Sequence, residues 1–238
     1  MIVIKLYTFG PLDDLPDVSA FVMKVMVLLK LAGLDFVEDR TGFHRAPKGK
    51  LPYIEDNGQV IADSAFIRSH LETAHGANFD GHLTAEQRAQ GWAIEKMCED
   101  HLYWLVVHSR WLVDANFNAG LARLFKAAPA LLRPFIVKSV RAKVARALFA
   151  QGLGRHSDEE RLALGRKDVD ALSTLLGDKP YIFGDAPCGA DAVVFAAVAA
   201  LLSPCSASPL RDEALARPNL VDYRDRLMQQ FFPEFRER

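Results

Sequence analysis

The hydrophobic pattern changes character near residue 76. Before that point, short β-branched and aromatic runs alternate with single helices. Ile2-Val-Ile-Lys-Leu-Tyr-Thr-Phe9 contains no breaker and predicts a strand buried on both faces. Gly10, Pro11 and Pro16 interrupt the pattern. From Ser19 an apolar run up to Gly33 predicts a helix, with Ser19 or Asp17 as its cap. Leu34 to Asp39 is short enough for a second strand. Leu51-Pro-Tyr-Ile54 and Gln59-Val-Ile61 flank Asn57-Gly58, a pair that supplies the positive φ angles of a tight hairpin. The next helix starts with Asp63 or Ser64 as N-cap and places Ile67, His70 and Leu71 on one side.

After residue 76 no further strand is predicted. Glu86 to Val113 reads as one long helix with an apolar stripe through Ile94, Cys98, Trp104, Leu105 and Leu112. Phe135 to Ala150 is amphipathic, with Lys138, Arg141, Lys143 and Arg146 opposite Ile136, Val140, Val144 and Leu148. Pro129 and Pro134 break that region into short helices. Ser157-Asp-Glu-Glu160 opens a helix with acidic residues suited to its dipole. Ala190 to Leu202 is apolar all round and predicts the centre of a helical core. The predicted architecture is an α/β thioredoxin-like unit in β-α-β-β-β-α order over residues 1–76, a linker over 77–83, and an all-α helical domain over 84–238. Strand-helix-strand implies a parallel pair with a right-handed crossover, and the hairpin adds an antiparallel pair.

Composition narrows the function classes. A formal net charge of −1 over 238 residues argues against a dedicated nucleic-acid binder. Three widely spaced cysteines give no disulfide framework, which fits a reducing, cytoplasmic setting. The opening residues lack the basic region of a signal peptide, and the most apolar run, Ala192 to Leu202, is shorter than the ~18 residues of a membrane span. From Ala115 to Ser157 there is no acidic residue and there are eight Lys or Arg. Such a segment suits a solvated basic face or an anionic membrane surface. Cys98, His101 and His108 share a helical face without an evident fourth ligand, so no metal is expected.

Pro52 opens its strand, where a missing N–H does no harm, and the Leu51-Pro52 bond has access to the cis form. That form turns the Leu51 main chain outward for an extended, peptide-like ligand. The helix start at Asp63-Ser64 is an anion site. Ala46-Pro-Lys-Gly-Lys-Leu-Pro-Tyr-Ile, followed by Ile61-Ala-Asp-Ser, resembles the glutathione site of the glutathione transferase superfamily, most narrowly the metaxin and failed-axon-connections-like branch. Tyr181-Ile-Phe-Gly-Asp with Ala190-Asp191-Ala-Val-Val-Phe is similar to the segment entering that superfamily's buried helix, except that Cys188 stands where Ser or Thr would begin the capping box. Pro218-Asn-Leu, Tyr223 and Phe232-Pro-Glu resemble the branch's closing segment.

The resemblance implies glutathione as co-substrate and a small apolar electrophile, with a homodimer as the assembly. By it, Leu51 and Pro52 meet the cysteinyl part, Asp63 and Ser64 the γ-glutamyl end, and Lys50 or Lys48 the glycine carboxylate. Arg68 serves a ligand or the domain interface. Ser19, at the first cysteine position of a Cys-Pro-Tyr-Cys-x-Lys pattern, activates the thiol; Tyr7 is the alternative. Val22 removes any resolving thiol. The helical domain supplies an apolar pocket with Trp104 and Trp111 in its wall. The other reading is a non-catalytic, metaxin-like binding or scaffold protein that sits on a membrane surface through residues 135–150.

Overall fold

A computed structural model of the chain describes residues 3–235. One mixed sheet carries β1 (Ile4–Tyr7), β2 (Phe36–Asp39), β3 (Tyr53–Asp56) and β4 (Gln59–Ala62) in the order β2-β1-β3-β4. β1 runs parallel to β2 and antiparallel to β3, and β4 pairs antiparallel with β3. With α1 (Ala20–Leu31) and α2 (Ser64–Ala74) the order is β-α-β-β-β-α, the thioredoxin arrangement expected. The reading of a strand from Ile2 falls partly outside the described residues. At its other end β1 stops two residues short of Phe9, because the Phe9 and Gly10 amides turn to the Asp17 carboxylate. β2 starts later than Leu34 because Gly33, at φ 65°, ends α1 and the Leu34 amide bonds back to Leu29. Asn57 and Gly58 both have positive φ, as the hairpin requires.

The rest is helical: α3 (Ala85–Met97), α4 (Tyr103–Leu112), α5 (Asp114–Ala119), α6 (Arg133–Gln151), α7 (Asp158–Leu176), α8 (Gly189–Leu202), α9 (Pro209–Leu215) and α10 (Pro218–Phe231). The expected helix from Glu86 to Val113 is instead α3 and α4 joined through a π turn at Cys98–Leu102, a widening that re-aims the second half. Pro134 does not break α6; it sits in the first turn, where its missing N–H is not needed. Nor are all four basic residues between Phe135 and Ala150 solvated. Arg141 turns inward, its Nε donating to the Trp111 carbonyl at 2.8 Å and its guanidinium to Asp114 at 2.6 Å.

Every residue of α8 is buried, as its composition predicts. Asp191 secures its start by accepting the Ile182 and Cys188 amides, each at 2.9 Å, and the Tyr223 hydroxyl at 2.9 Å. The Cys188 thiol also donates to Asp191, at 3.2 Å, and its sulfur takes the Asp191 amide, so cysteine completes the capping box in place of serine. α1 lies between the sheet and α8, which is why residues Val22 to Leu29 are buried on all sides. Burial of each of the apolar side chains among them is worth about 1.5–3 kcal/mol. The sheet module and the helical module therefore share one core.

Candidate functional site

Strand register gathers the site at one end of the sheet. Tyr7 ends β1 opposite Tyr53, and Tyr53 pairs with Ala62. The segments Thr8–Phe9, Leu51–Pro52 and Asp63–Ser64 consequently leave the sheet side by side. The Leu51-Pro52 peptide bond is cis. Among the described residues no hydrogen bond engages the Leu51 main chain, while the Pro52 carbonyl accepts the Asp63 amide at 3.3 Å.

Asp63 is the N-cap of α2 and accepts the Ala65 amide at 3.0 Å. Its φ of 88° is a conformation that costs a non-glycine residue roughly 1–3 kcal/mol and that concentrates at ligand sites. Ser64 is buried, and its Oγ receives the Lys24 ammonium at 3.4 Å. Lys50 is exposed and forms no ion pair among the described residues; Lys48 lies over the Phe66 ring at 4.2 Å. The structure thus brings Leu51, Pro52, Asp63 and Ser64 together and leaves Lys50 on the rim.

Ser19 heads α1 from the same sheet end. Its Oγ accepts the Val22 amide at 3.4 Å, which leaves the hydroxyl hydrogen available as a donor. The long loop before it is set by Asp17, fully buried, whose Oδ2 accepts the Phe9 and Gly10 amides at 2.9 and 2.7 Å and whose Oδ1 accepts the Ser19 amide at 2.7 Å. Burial pushes the Asp17 carboxyl up to about 7, while those three donors pull the other way. Arg110, buried in the helical module, donates to the Val18 carbonyl at 3.0 Å and fixes the loop from below.

Tyr7 is engaged within the sheet. Its hydroxyl donates to Glu55 at 2.6 Å, its ring stacks on Tyr53 at 3.9 Å, and burial drives its pKa well above the ordinary phenol value. In the first turn of α1, Phe21 meets Tyr103 at 4.8 Å, and Tyr103 meets Trp104 at 5.5 Å. Trp111 belongs elsewhere, packed with Phe117 and Phe125 against the loop cluster of Leu12 and Val18.

A buried charge cluster centres on Lys24, to which the sequence pattern assigned no role. Lys24, only 1% exposed, reaches Glu99 at 2.6 Å and Glu95 at 3.0 Å as well as Ser64. The signal was present: Lys24 is the one charge in the otherwise apolar run Phe21 to Leu29. Arg68 belongs to the interface, paired with Glu72 at 3.0 Å, with Asp80, and with Glu95 at 3.6 Å. It lines a cleft of about 270 Å³ between α2 and α3, whose other walls include Asp80, Arg88 and Trp92. That cleft is charged and does not match the apolar pocket expected for an acceptor. Cys98, His101 and His108 do not converge: Cys98 is buried, and His101 lies 2.5 Å from Asp168.

Residues 20–116 match the glutathione S-transferase N-terminal domain and residues 165–227 the glutathione S-transferase C-terminal domain. The chain is 36% identical to Failed axon connections of Drosophila melanogaster over 99% of its own length, and spans 59% of that protein. It is 32% identical to the isoprene-epoxide–glutathione S-transferase of Rhodococcus, covering 96% of this chain and 99% of the relative. Among solved structures, the beta-etherase LigF of Sphingobium superposes with a TM-score of 0.69 at 20% identity, over 99% of both chains. That likeness is one of fold.

Proposed function

The chain belongs to the glutathione S-transferase family, and from that premise we propose that it binds glutathione at the Leu51 edge and transfers the thiolate to a small apolar electrophile. The observation that carries this reading is the unpaired Leu51 main chain lying beside the mouth of α2, with the Ser19 hydroxyl at the same sheet end. An extended tripeptide pairs its cysteinyl amide and carbonyl with Leu51. Its γ-glutamyl carboxylate meets the first amides of α2 at Asp63-Ser64, where the helix dipole favours negative charge. Pro52 holds the edge open, and Lys50 meets the glycine carboxylate from the rim.

A free thiol ionises near ~8.5, and the thiolate is the nucleophile. Ser19 stabilises the anion by donating its hydroxyl hydrogen to sulfur, aided by the unbonded amides at the start of α1. Each pKa unit of depression corresponds to ~1.4 kcal/mol. Phe21, Tyr103 and Trp104 form the apolar side on which the electrophile rests. With an epoxide, the class named for the Rhodococcus relative, the thiol first releases its proton to solvent; the thiolate sulfur then attacks a ring carbon, an S–C bond forms, the C–O bond opens and the alkoxide takes up a proton from solvent. Free Cys98, Cys188 and Cys205 support a cytoplasmic setting, and the exposed Val60, Phe66 and Trp92 support a homodimer. Conjugation assays on native and Ser19→Ala protein test the reading. The variant is expected to lose at least about tenfold in kcat/KM near neutral pH; equal rates would reduce Ser19 to a cap.

A second reading rests on a different observation. Leu131 is 89% and Phe135 72% exposed, inside the segment that has no acidic residue. A metaxin-like, non-catalytic scaffold would use these side chains to enter an anionic lipid surface while Lys138, Lys143 and Arg146 meet the headgroups. Co-sedimentation with phosphatidylserine vesicles that salt reverses, together with no conjugation activity, favours this alternative.

A further inference from the structure

His70 and His75 take no part in the thiol chemistry, yet both rings aim at one atom. Asp56 ends β3 and is 2% exposed. Its Oδ2 lies 2.7 Å from His70 Nε2 and 2.6 Å from His75 Nε2. The three donor atoms all lie within 4.8 Å of one another, and the rings meet edge to face. The other carboxylate oxygen accepts a hydrogen bond from Asn57 Nδ2 at 3.0 Å, which fixes the carboxylate plane.

The spacing explains why the sequence hides this cluster. His70 lies on α2, and His75 is five residues on, so the usual i, i+4 ladder does not pair them. His75 instead closes the helix as its C-cap and swings back over the end of the β3–β4 hairpin. The imidazoles are partly exposed, at 14% and 21%, while the carboxylate is inside. An ion can reach the rings from solvent and find a desolvated anion behind them.

We propose that Asp56, His70 and His75 bind one divalent first-row transition metal ion, with Zn²⁺ the best match, through one carboxylate oxygen and two imidazole Nε2 atoms. One oxygen and two nitrogens make a borderline donor set that suits zinc and is too poor in oxygen for calcium or magnesium. Three protein ligands leave a fourth tetrahedral position to water. Zinc–nitrogen bonds of about 2.0–2.1 Å place tetrahedral ligands about 3.3 Å apart, so each ring nitrogen moves about 0.6–0.7 Å away from Asp56 Oδ2 relative to its hydrogen-bonded position. Asn57 supplies the outer partner that metal-bound carboxylates use for orientation. The bound ion ties the hairpin to the C-terminal end of α2. That end lies about 16 Å along the helix from Asp63-Ser64, so the ion clamps the element that faces the tripeptide and stays clear of the tripeptide itself.

The test is calorimetric titration of chelator-treated, tag-free full-length protein with Zn²⁺, and with Co²⁺ as a spectroscopic substitute. One ion per chain, a higher melting temperature with Zn²⁺, and visible Co²⁺ bands of nitrogen–oxygen tetrahedral ligation are expected. His75→Gln and Asp56→Asn should each weaken binding by more than about tenfold, and His101→Gln should not. If Asp56→Asn fails to fold, His75→Gln at the helix end still carries the comparison. Absence of saturable one-to-one uptake at micromolar Zn²⁺, or uptake in His75→Gln equal to native, overturns the proposal. Glutathione binding by His75→Gln should persist in either case, so this result and the transferase reading stand or fall separately.

Discussion

Asp17 decides where Ser19 stands. The twelve-residue connection from Thr8 to Ser19 would ordinarily leave its last residues loosely placed, but here one buried carboxylate takes three main-chain amides, including that of Ser19 itself. Burial raises the Asp17 carboxyl to about 7, above the value near 4 that an unfolded aspartate shows. Between about pH 4 and pH 7 the folded chain therefore holds a proton that the unfolded chain has released, and stability falls as pH rises through that window. The contribution is complete below it. Denaturant melts between pH 4 and 8 should show this decline in the native protein and a shallower one in Asp17→Asn; superimposable profiles would refute the assignment. The same residue links stability to chemistry, because a displaced loop moves the Ser19 hydroxyl away from the Leu51 edge.

At the scale of elements, the buried charges act as a joint. Lys24 on α1 meets Glu95 and Glu99 around the α3–π turn junction and Ser64 at the head of α2. Three elements are held by one ammonium group, and the helix that carries Ser19 is thereby tied to the helix that carries Asp63. Lys24→Met would fill the space but leave two carboxylates largely buried beside only Lys96 and Arg68. A loss of about 3–5 kcal/mol is expected in urea denaturation. Adding Glu95→Gln and Glu99→Gln should recover much of it, since replacing the whole buried ion set costs far less than breaking it. A single variant as stable as the native chain would show the joint to be ornamental.

At the scale of the molecule, the sheet presents the open Leu51 edge and the helical module fixes it in place. α1 is sandwiched between them, and Arg110 reaches from α4 to hold the Val18 carbonyl. Local rules were enough for the sheet module: Asn57-Gly58 declared the hairpin, Pro52 its opening and Asp63-Ser64 the helix cap. The sheet-end grouping of Leu51, Asp63 and Ser19 was readable because each sits at an element boundary, where turn chemistry speaks. Lys24, Arg110 and the Asp56 cluster were not readable, because their partners lie from 14 to 96 residues away and only the packed helices bring them together. The π turn escaped for a related reason, since an apolar stripe of mixed three- and four-residue steps looks the same with one residue inserted. The central claim is that the cis-proline edge and the α2 mouth form one seat for a thiol tripeptide. Calorimetric titration with reduced glutathione tests it most directly: the account predicts saturable binding of one tripeptide per chain with a Kd of about 1 mM or tighter, weakened in Asp63→Ala. No saturable heat at several times about that concentration would contradict it.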